Sequence, residues 1–166
     1  MITSRYCTTM ADHNSWMNAK MYALCATLSD IDRKKDQRAF FHSIHSTLNH
    51  ILSCDLMFLA NFKENTVFAE SEGDLYEDFS ELSKNRRIAD AKISQWAKSV
   101  QLDWLEAASE YTHFEDGVAR TVTQGFWVVH MFNHQTHHRG QITTLLTQLG
   151  HDIGSTDLHM SVPLPS

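Results

Sequence analysis

The chain has 166 residues, a formal net charge of −6, 42% hydrophobic and 20% charged residues, which fits one globular domain over residues 1–166 with chain enough for a core. No apolar run approaches the roughly 18 residues needed to span a bilayer, and a negative chain whose basic runs are as short as "DRKK" (32–35) and "KNRR" (84–87) argues against a nucleic-acid footprint. "MITSRYCTTMADHN" lacks a signal-peptide apolar core, and Cys7, Cys25 and Cys54 form no CxxC pair, so the expectation is a cytoplasmic protein with reduced, buried thiols.

The prolines, Pro163 and Pro165, both lie in the tail, so nothing interrupts backbone hydrogen bonding before them and long helices are favoured. In the first helical pattern Tyr6, Met10, His13, Met17, Leu24 and Leu28 recur at steps that share a face. "LSDID" breaks it, with Ser29 a candidate cap. A second helix is predicted from Ala39 to Asn61, striped by Phe41, Ile44, Leu48, Ile51, Leu52 and Leu59. The stretch "ESEGDLYEDFSE" (70–81), with six acids and no base, reads as a solvated loop. A third helix carries Leu82, Ala89, Ile93, Trp96, Val100 and Trp104. Residues 110–122 alternate irregularly, as a short hairpin or an extended loop would. A fourth helix is predicted from Thr123 to Leu149, ending at Gly150, a good residue just past a C-terminus. Four such helices make an all-α four-helix bundle, and the long 62–80 and 108–122 connections allow a crossover.

The fourth helix holds the unusual chemistry. At 100° per residue Trp127, Met131, His134, His138, Leu145 and Leu149 fall within about 60° of one another. His134 and His138 therefore share the core-facing side, one turn apart, where two imidazoles can grip one ion. His137 projects away from His138. The pair lacks a protease's HExxH glutamate, because Gln135 and Thr136 lie between. A lone histidine on an apolar face is usually a core residue; two at this spacing raise the odds of a ligand pair. A third ligand is needed, and chemistry alone leaves His13, His42, His45, His50, Asp55 and His113 open. Periodicity does not favour His50, which lies away from the densest stripe of its helix.

"TLNHILSCDLMFLANF" (47–62) with "HMFNHQTHHRGQITTLLTQLG" (130–150), and "HNSWMNAKMY" (13–22) in the first helix, resembles the DinB/YfiT-like superfamily of bacterial metalloproteins, named for damage-inducible genes. That resemblance implies an up-down-down-up four-helix bundle, usually a homodimer. It implies a divalent ion held by one histidine of the second helix and an HxxxH pair before "RGQ", which here are His50, His134 and His138. His130 and His137 are additional histidines beside them. Gly140 would then let a neighbouring helix approach closely. Gln141, within about 60° of His138, would support the site, whereas Arg139 would make a surface or interface ion pair. Asn14, Trp16 and Asn18 would either approach the site or pack.

Three neutral imidazoles leave an ion with open positions, the pattern of catalytic rather than structural zinc, and nickel suits the same ligands. The functional expectation is a metal-dependent enzyme acting on a small molecule, of the thiol-dependent S-transferase or hydrolase type, with a low-molecular-weight thiol as cosubstrate in the first case. Asp55, Glu64 and Glu115 are the unplaced candidates for a general acid or base. The alternative is a non-catalytic metal-binding stress-response protein. Cys54, Met57 and Phe58, outside the main stripe, are expected to be covered in a dimer.

Overall fold

In the computed structural model, residues 2–64, 73–113 and 115–161 are described. Six helices form among them: α1 (Ser4–Cys25), α2 (Asp30–Lys34), α3 (Ile44–Glu64), α4 (Phe79–Ser99), α5 (Leu102–Glu106) and α6 (Gln124–Gln148). Two short strands, β1 (Ala108–Thr112) and β2 (Ala119–Thr123), pair antiparallel between α5 and α6, Ala108 opposite Thr123, so the 110–122 segment is the hairpin of the two expected forms. No helix among the described residues is long and apolar enough to cross a membrane.

Side-chain oxygens at the helix starts accept otherwise unpaired amide hydrogens: Thr3 for α1, Ser29 for α2, Asp78 for α4 and Thr123 for α6. Gly150, with φ at 86°, follows the end of α6 in the left-handed region that glycine enters without strain. Two boundaries differ from the periodicity. The second long helix begins at Ile44, because residues 39–42 form a tight bridge, with positive φ at His42 and at Arg38 just before it. The third stops at Ser99, and Trp104 belongs to the separate α5. Of the acidic stretch, residues 70–72 lie outside the described residues, while Asp78 caps α4 rather than lying in a loop.

The four long helices do not pack in chain order. α1 packs chiefly on α4, and α3 chiefly on α6. Ser4 reaches the Val100 carbonyl at one end of the α1–α4 pair and Tyr22 stacks on Phe79 at the other. His50 meets His134 in the α3–α6 pair, and Phe58 meets His130. Asp55 pairs with Arg86, and Phe62 stacks on Trp96, between α3 and α4.

The core is in two parts. Met17, Met21, Ile44, Leu48, Leu52, Leu82, Ile142 and Leu146 fill one; Cys7, Phe58, Phe62, Ile93, Trp96, Val128 and Phe132 fill the other. Between them every long helix contributes buried polar side chains: Asn14 and Asn18, Asp55, Arg86 and Asp90, Gln135 and Arg139. Arg86 donates to Asp55 and lies 2.9 Å from Asp90, which also accepts from Asn18 at 2.9 Å and Asn14 at 3.2 Å. Gln135 donates to Asp55 at 2.7 Å, and Arg139 donates to Asn14. Burial alone would lower the Arg86 pKa, but Asp55 and Asp90 outweigh it and raise it. Arg139 is therefore no surface ion pair: it is 3% exposed, and burial, only partly offset by Asp55, brings it down to about 10.

The close approach expected at Gly140 occurs at Gly125 instead. A methyl on Gly125 would meet Ile2 at 2.8 Å and the Leu105 carbonyl at 3.0 Å, whereas one on Gly140 would meet nothing within 4 Å. Cys54 and Phe58, expected at a partner surface, are each 4% exposed and covered by this chain's own core; Met57 is half-buried.

Candidate metal centre

His50 projects from α3, and His134 and His138 project from α6 one turn apart. Their rings converge. His134 Nε2 lies 3.1 Å from His50 Nε2 and 3.1 Å from His138 Nε2. One nitrogen from each ring falls within 4.8 Å of the other two, and among the described residues no other three histidine, cysteine or carboxylate side chains converge this way. Nitrogens about 2.0–2.1 Å from one tetrahedral ion stand roughly 3.3 Å apart. The spacing therefore suits a single ion with little adjustment.

The surroundings fix how two rings face inward. His138 Nδ1 is 2.8 Å from Gln141 Oε1. An amide oxygen only accepts, so Nδ1 carries the proton and Nε2 turns its lone pair to the cluster. The His50 ring lies flat against Phe41, with centroids 3.9 Å apart and planes 24° apart, and Phe41 also meets His138 edge-on at 5.4 Å. Cys54, one turn along α3, brings its Sγ to 3.7 Å from His50 Nε2. The Nδ1 of His134 is buried with no hydrogen-bond partner among the described residues.

Burial, reinforced by His138 and His50, pushes His134 down to about 3. Burial also lowers His138, against the opposing effect of Gln141. The neutral imidazole is the form a metal binds, so the folded chain holds these rings ready for an ion. Three neutral nitrogens without a carboxylate suit zinc or nickel better than calcium or magnesium, which take oxygen ligands.

The sequence model of the DinB family matches residues 1–162. The chain belongs to the DinB family. It is 22% identical over 151 residues to Protein DinB of Bacillus subtilis (strain 168), a match covering 88% of this chain and 87% of that protein. The crystal structure of a DinB-like protein from Bacillus cereus ATCC 10987 is similar with a TM-score of 0.63 at 17% identity, over 84% of this chain and 90% of that one. At that identity the likeness is one of fold.

Elsewhere in this DinB-family chain the other candidates for a third ligand are engaged. His13 Nδ1 lies 2.7 Å from Ser161 Oγ, and its ring stacks on Trp16. His45 is fully buried, with Nε2 2.8 Å from the Tyr76 carbonyl. His42 sits in the bridge before α3, 3.8 Å from Asp36, and His113 lies 3.4 Å from Asp116 beside the hairpin. Asp55 is locked between Arg86 and Gln135. Glu115 is exposed in the turn, and the Glu64 side chain lies outside what the structure describes. His130 approaches the cluster with its ring 6.2 Å from that of His134; His137 is exposed and reaches Gln141 at 3.3 Å.

Asn14 and Asn18 serve the buried Asp90 rather than the histidines. Sequence reasoning missed Phe41 as the wall of the site, because its spacing from Ile44 placed it on the helix stripe. It also missed the charged layer. Its signal was available: Asn14, Asn18, Asp55, Arg86 and Gln135 interrupt apolar stripes on four different helices.

Proposed function

We propose that this DinB-family chain binds one divalent ion through His50, His134 and His138 and works as a metal-dependent enzyme on a small-molecule substrate, of the thiol-dependent S-transferase or hydrolase type. The convergence of three imidazole nitrogens within 4.8 Å of one another, His134 lying 3.1 Å from each of the other two, carries the reading. Zinc or nickel is the proposed ion. Bound there with positions to spare, it would lower the pKa of a water or of a low-molecular-weight thiol cosubstrate. The chain's own residues hold the ligands: Gln141 fixes the His138 tautomer, Phe41 holds the His50 ring plane, and Phe41 with Phe58 lines the cluster with apolar surface. The contacts between helix pairs support an up-down-down-up bundle: α1–α4 and α3–α6 contacts run in opposite directions along the chain, α3–α4 contacts in the same direction. We further propose one domain over 1–166, a homodimer, and a cytoplasmic setting where Cys7, Cys25 and Cys54 stay reduced, with neither nucleic acid nor membrane as partner.

The second reading, a non-catalytic metal-binding stress-response protein, is favoured by one observation. Among the described residues no carboxylate joins the three histidines, and Asp55 is committed to Arg86. The deciding experiment measures metal by elemental analysis and turnover of thiol-transfer and ester or amide substrates from pH 5 to 9. The expected result is about one ion per chain, lost in His50→Ala, His134→Ala and His138→Ala alike, with turnover that rises with pH. Full metal occupancy without turnover of any such substrate would favour the binding protein. A His50→Ala variant still fully loaded would refute the ligand set.

A further inference from the structure

A cavity of about 480 Å³ opens between the second half of α3, the β1–β2 hairpin and the start of α6. Its size is within the range of small-ligand sites. The walls are aromatic: Phe58 from α3, Tyr111 from β1, and Phe126 and Trp127 from α6. Tyr111 and Trp127 meet edge to face with centroids 5.0 Å apart, and Trp127 is anchored by its Nε1 donating to Ser109 Oγ at 3.1 Å. Phe126 stands exposed, at 47%, although it belongs to this wall. An anchored indole with ring faces and edges around an open volume is a fitting seat for another ring, which prefers those same edge-to-face and offset contacts.

The charge of the lining narrows the occupant. Among the described residues it includes one carboxylate, Glu110, two histidines, His113 and His130, and no lysine or arginine. No fixed cation among those residues faces an anion, and Glu110 would repel one, so the lining's neutral polar groups alone would have to offset the desolvation. The cavity also borders the candidate metal centre through two of its lining residues. His130 and Phe58 line it, and their rings lie 6.2 Å and 6.4 Å from that of His134. His130, His134 and His138 follow one another at single-turn steps along α6, so one helix face leads from the cavity to the three-histidine cluster.

We propose that this cavity binds an uncharged aromatic ring of the substrate, with His130 at the end that leads to the three-histidine cluster. The assignment to a substrate rests on the proposed metal-dependent chemistry; the binding of the ring does not. The consequence is that the hairpin sets which small molecule this chain accepts, while the histidines on α3 and α6 set what is done to it.

The test is calorimetric titration of the full chain with naphthalene-1-methanol, and with naphthalene-1-carboxylate as the anionic counterpart. Saturable 1:1 binding of the alcohol is expected, and in chelator, where no ion can ligate the carboxylate, it is at least about tenfold tighter than that of the carboxylate. Asn61→Trp and Thr112→Trp fill the cavity from opposite walls. Each is expected to weaken the alcohol about tenfold or more while leaving the circular dichroism spectrum and the metal content unchanged. Should one variant fail to fold, the other decides. Absence of saturable binding, equal binding of the carboxylate, or wild-type affinity in a folded variant would overturn the proposal. So would binding that vanishes when the ion is removed with a chelator. Binding of the alcohol to a chain that takes up no metal would leave the cavity standing and remove the metal-dependent reading alone.

Discussion

Two polar clusters lie in the interior of this bundle, and they are built on opposite terms. In the layer between the two apolar cores, Arg86 and Arg139 are set among Asp55 and Asp90, and asparagine and glutamine amides take up much of the remaining hydrogen bonding. A few paces along α3 and α6, His50, His134 and His138 crowd three ring nitrogens together, with no carboxylate among the described residues joining them. The first cluster answers its own charges and joins four helices. The second brings ring nitrogens within hydrogen-bond distance of one another, and the buried Nδ1 of His134 has no partner among the described residues. Three converging imidazoles with no counter-charge among the described residues offer a cation what the first cluster, whose guanidiniums already face carboxylates, does not. The comparison separates a polar layer that holds the bundle together from one that the bundle holds ready.

The sharpest way to break that distinction is to remove one charge from the first cluster. Arg86→Met leaves Asp55 and Asp90 buried without their shared cation, and breaking a buried pair in this way costs about 3–5 kcal/mol. Urea denaturation in chelator should show that loss. In the same assay His134→Leu should fall within about 1 kcal/mol of the parent, because it removes no charge and, together with the Nε2 contacts to His50 and His138, removes a buried Nδ1 that has no partner among the described residues. If the two substitutions cost the same, the two clusters do not differ as described.

A smaller effect tests the second cluster from outside. Gln141→Ala removes the acceptor that fixes His138 Nδ1. Losing a support of this kind typically lowers metal affinity about 10- to 100-fold. Competition against a chelator of known affinity should detect this, with urea stability of the metal-free chain unchanged. Unaltered affinity would show that packing against Phe41, not the hydrogen bond, orients the ring.

Acid gives a graded version of the same contrast. The folded chain holds His134 at about 3, against about 6.5 for an unperturbed histidine. Between those values the unfolded chain binds the extra proton, so stability falls as pH drops below about 6.5 and is fully present above it. One such group contributes at most about 1.4 kcal/mol per pH unit. Urea midpoints in chelator from pH 7 to pH 5 should fall less steeply in His134→Gln than in the parent. Equal slopes would mean that protonation elsewhere governs the acid limb.

Much of this was legible in the sequence, and the failures have physical causes. Long apolar stripes marked four helices because each buries one face, and the HxxxH pair on one of those faces marked half of the candidate site. His50 was not legible from periodicity. Its side chain sits at the boundary between helix face and site, where Phe41 from the preceding turn, not the core, packs against it. That turn was itself misread as helix, since nothing in residues 39–43 announces the positive φ of His42. Arg139 was misjudged for the opposite reason: a helical wheel gives direction but not what waits there, and what waits is Asn14 on another helix.

Gly140 supplies the smallest effect and the most direct test of a failed expectation. It lies in the interior of α6, exposed, and a methyl group there would touch nothing within 4 Å. Its φ is not in the left-handed region, so alanine fits the backbone. Alanine exceeds glycine in helix propensity by roughly 0.5–1 kcal/mol, in part because the unfolded chain loses freedom. Gly140→Ala should therefore raise stability by about that amount in dilute solution, as a higher urea midpoint at unchanged slope. The result becomes more informative at high protein concentration. If a second copy packs its backbone against this face, the added methyl should weaken association, and sedimentation should show dissociation at concentrations where the parent stays associated. A gain in stability with unchanged assembly would leave Gly140 without a packing role. A loss of stability in dilute solution would mean that some neighbour of Gly140 lies closer than the 4 Å of open space around it.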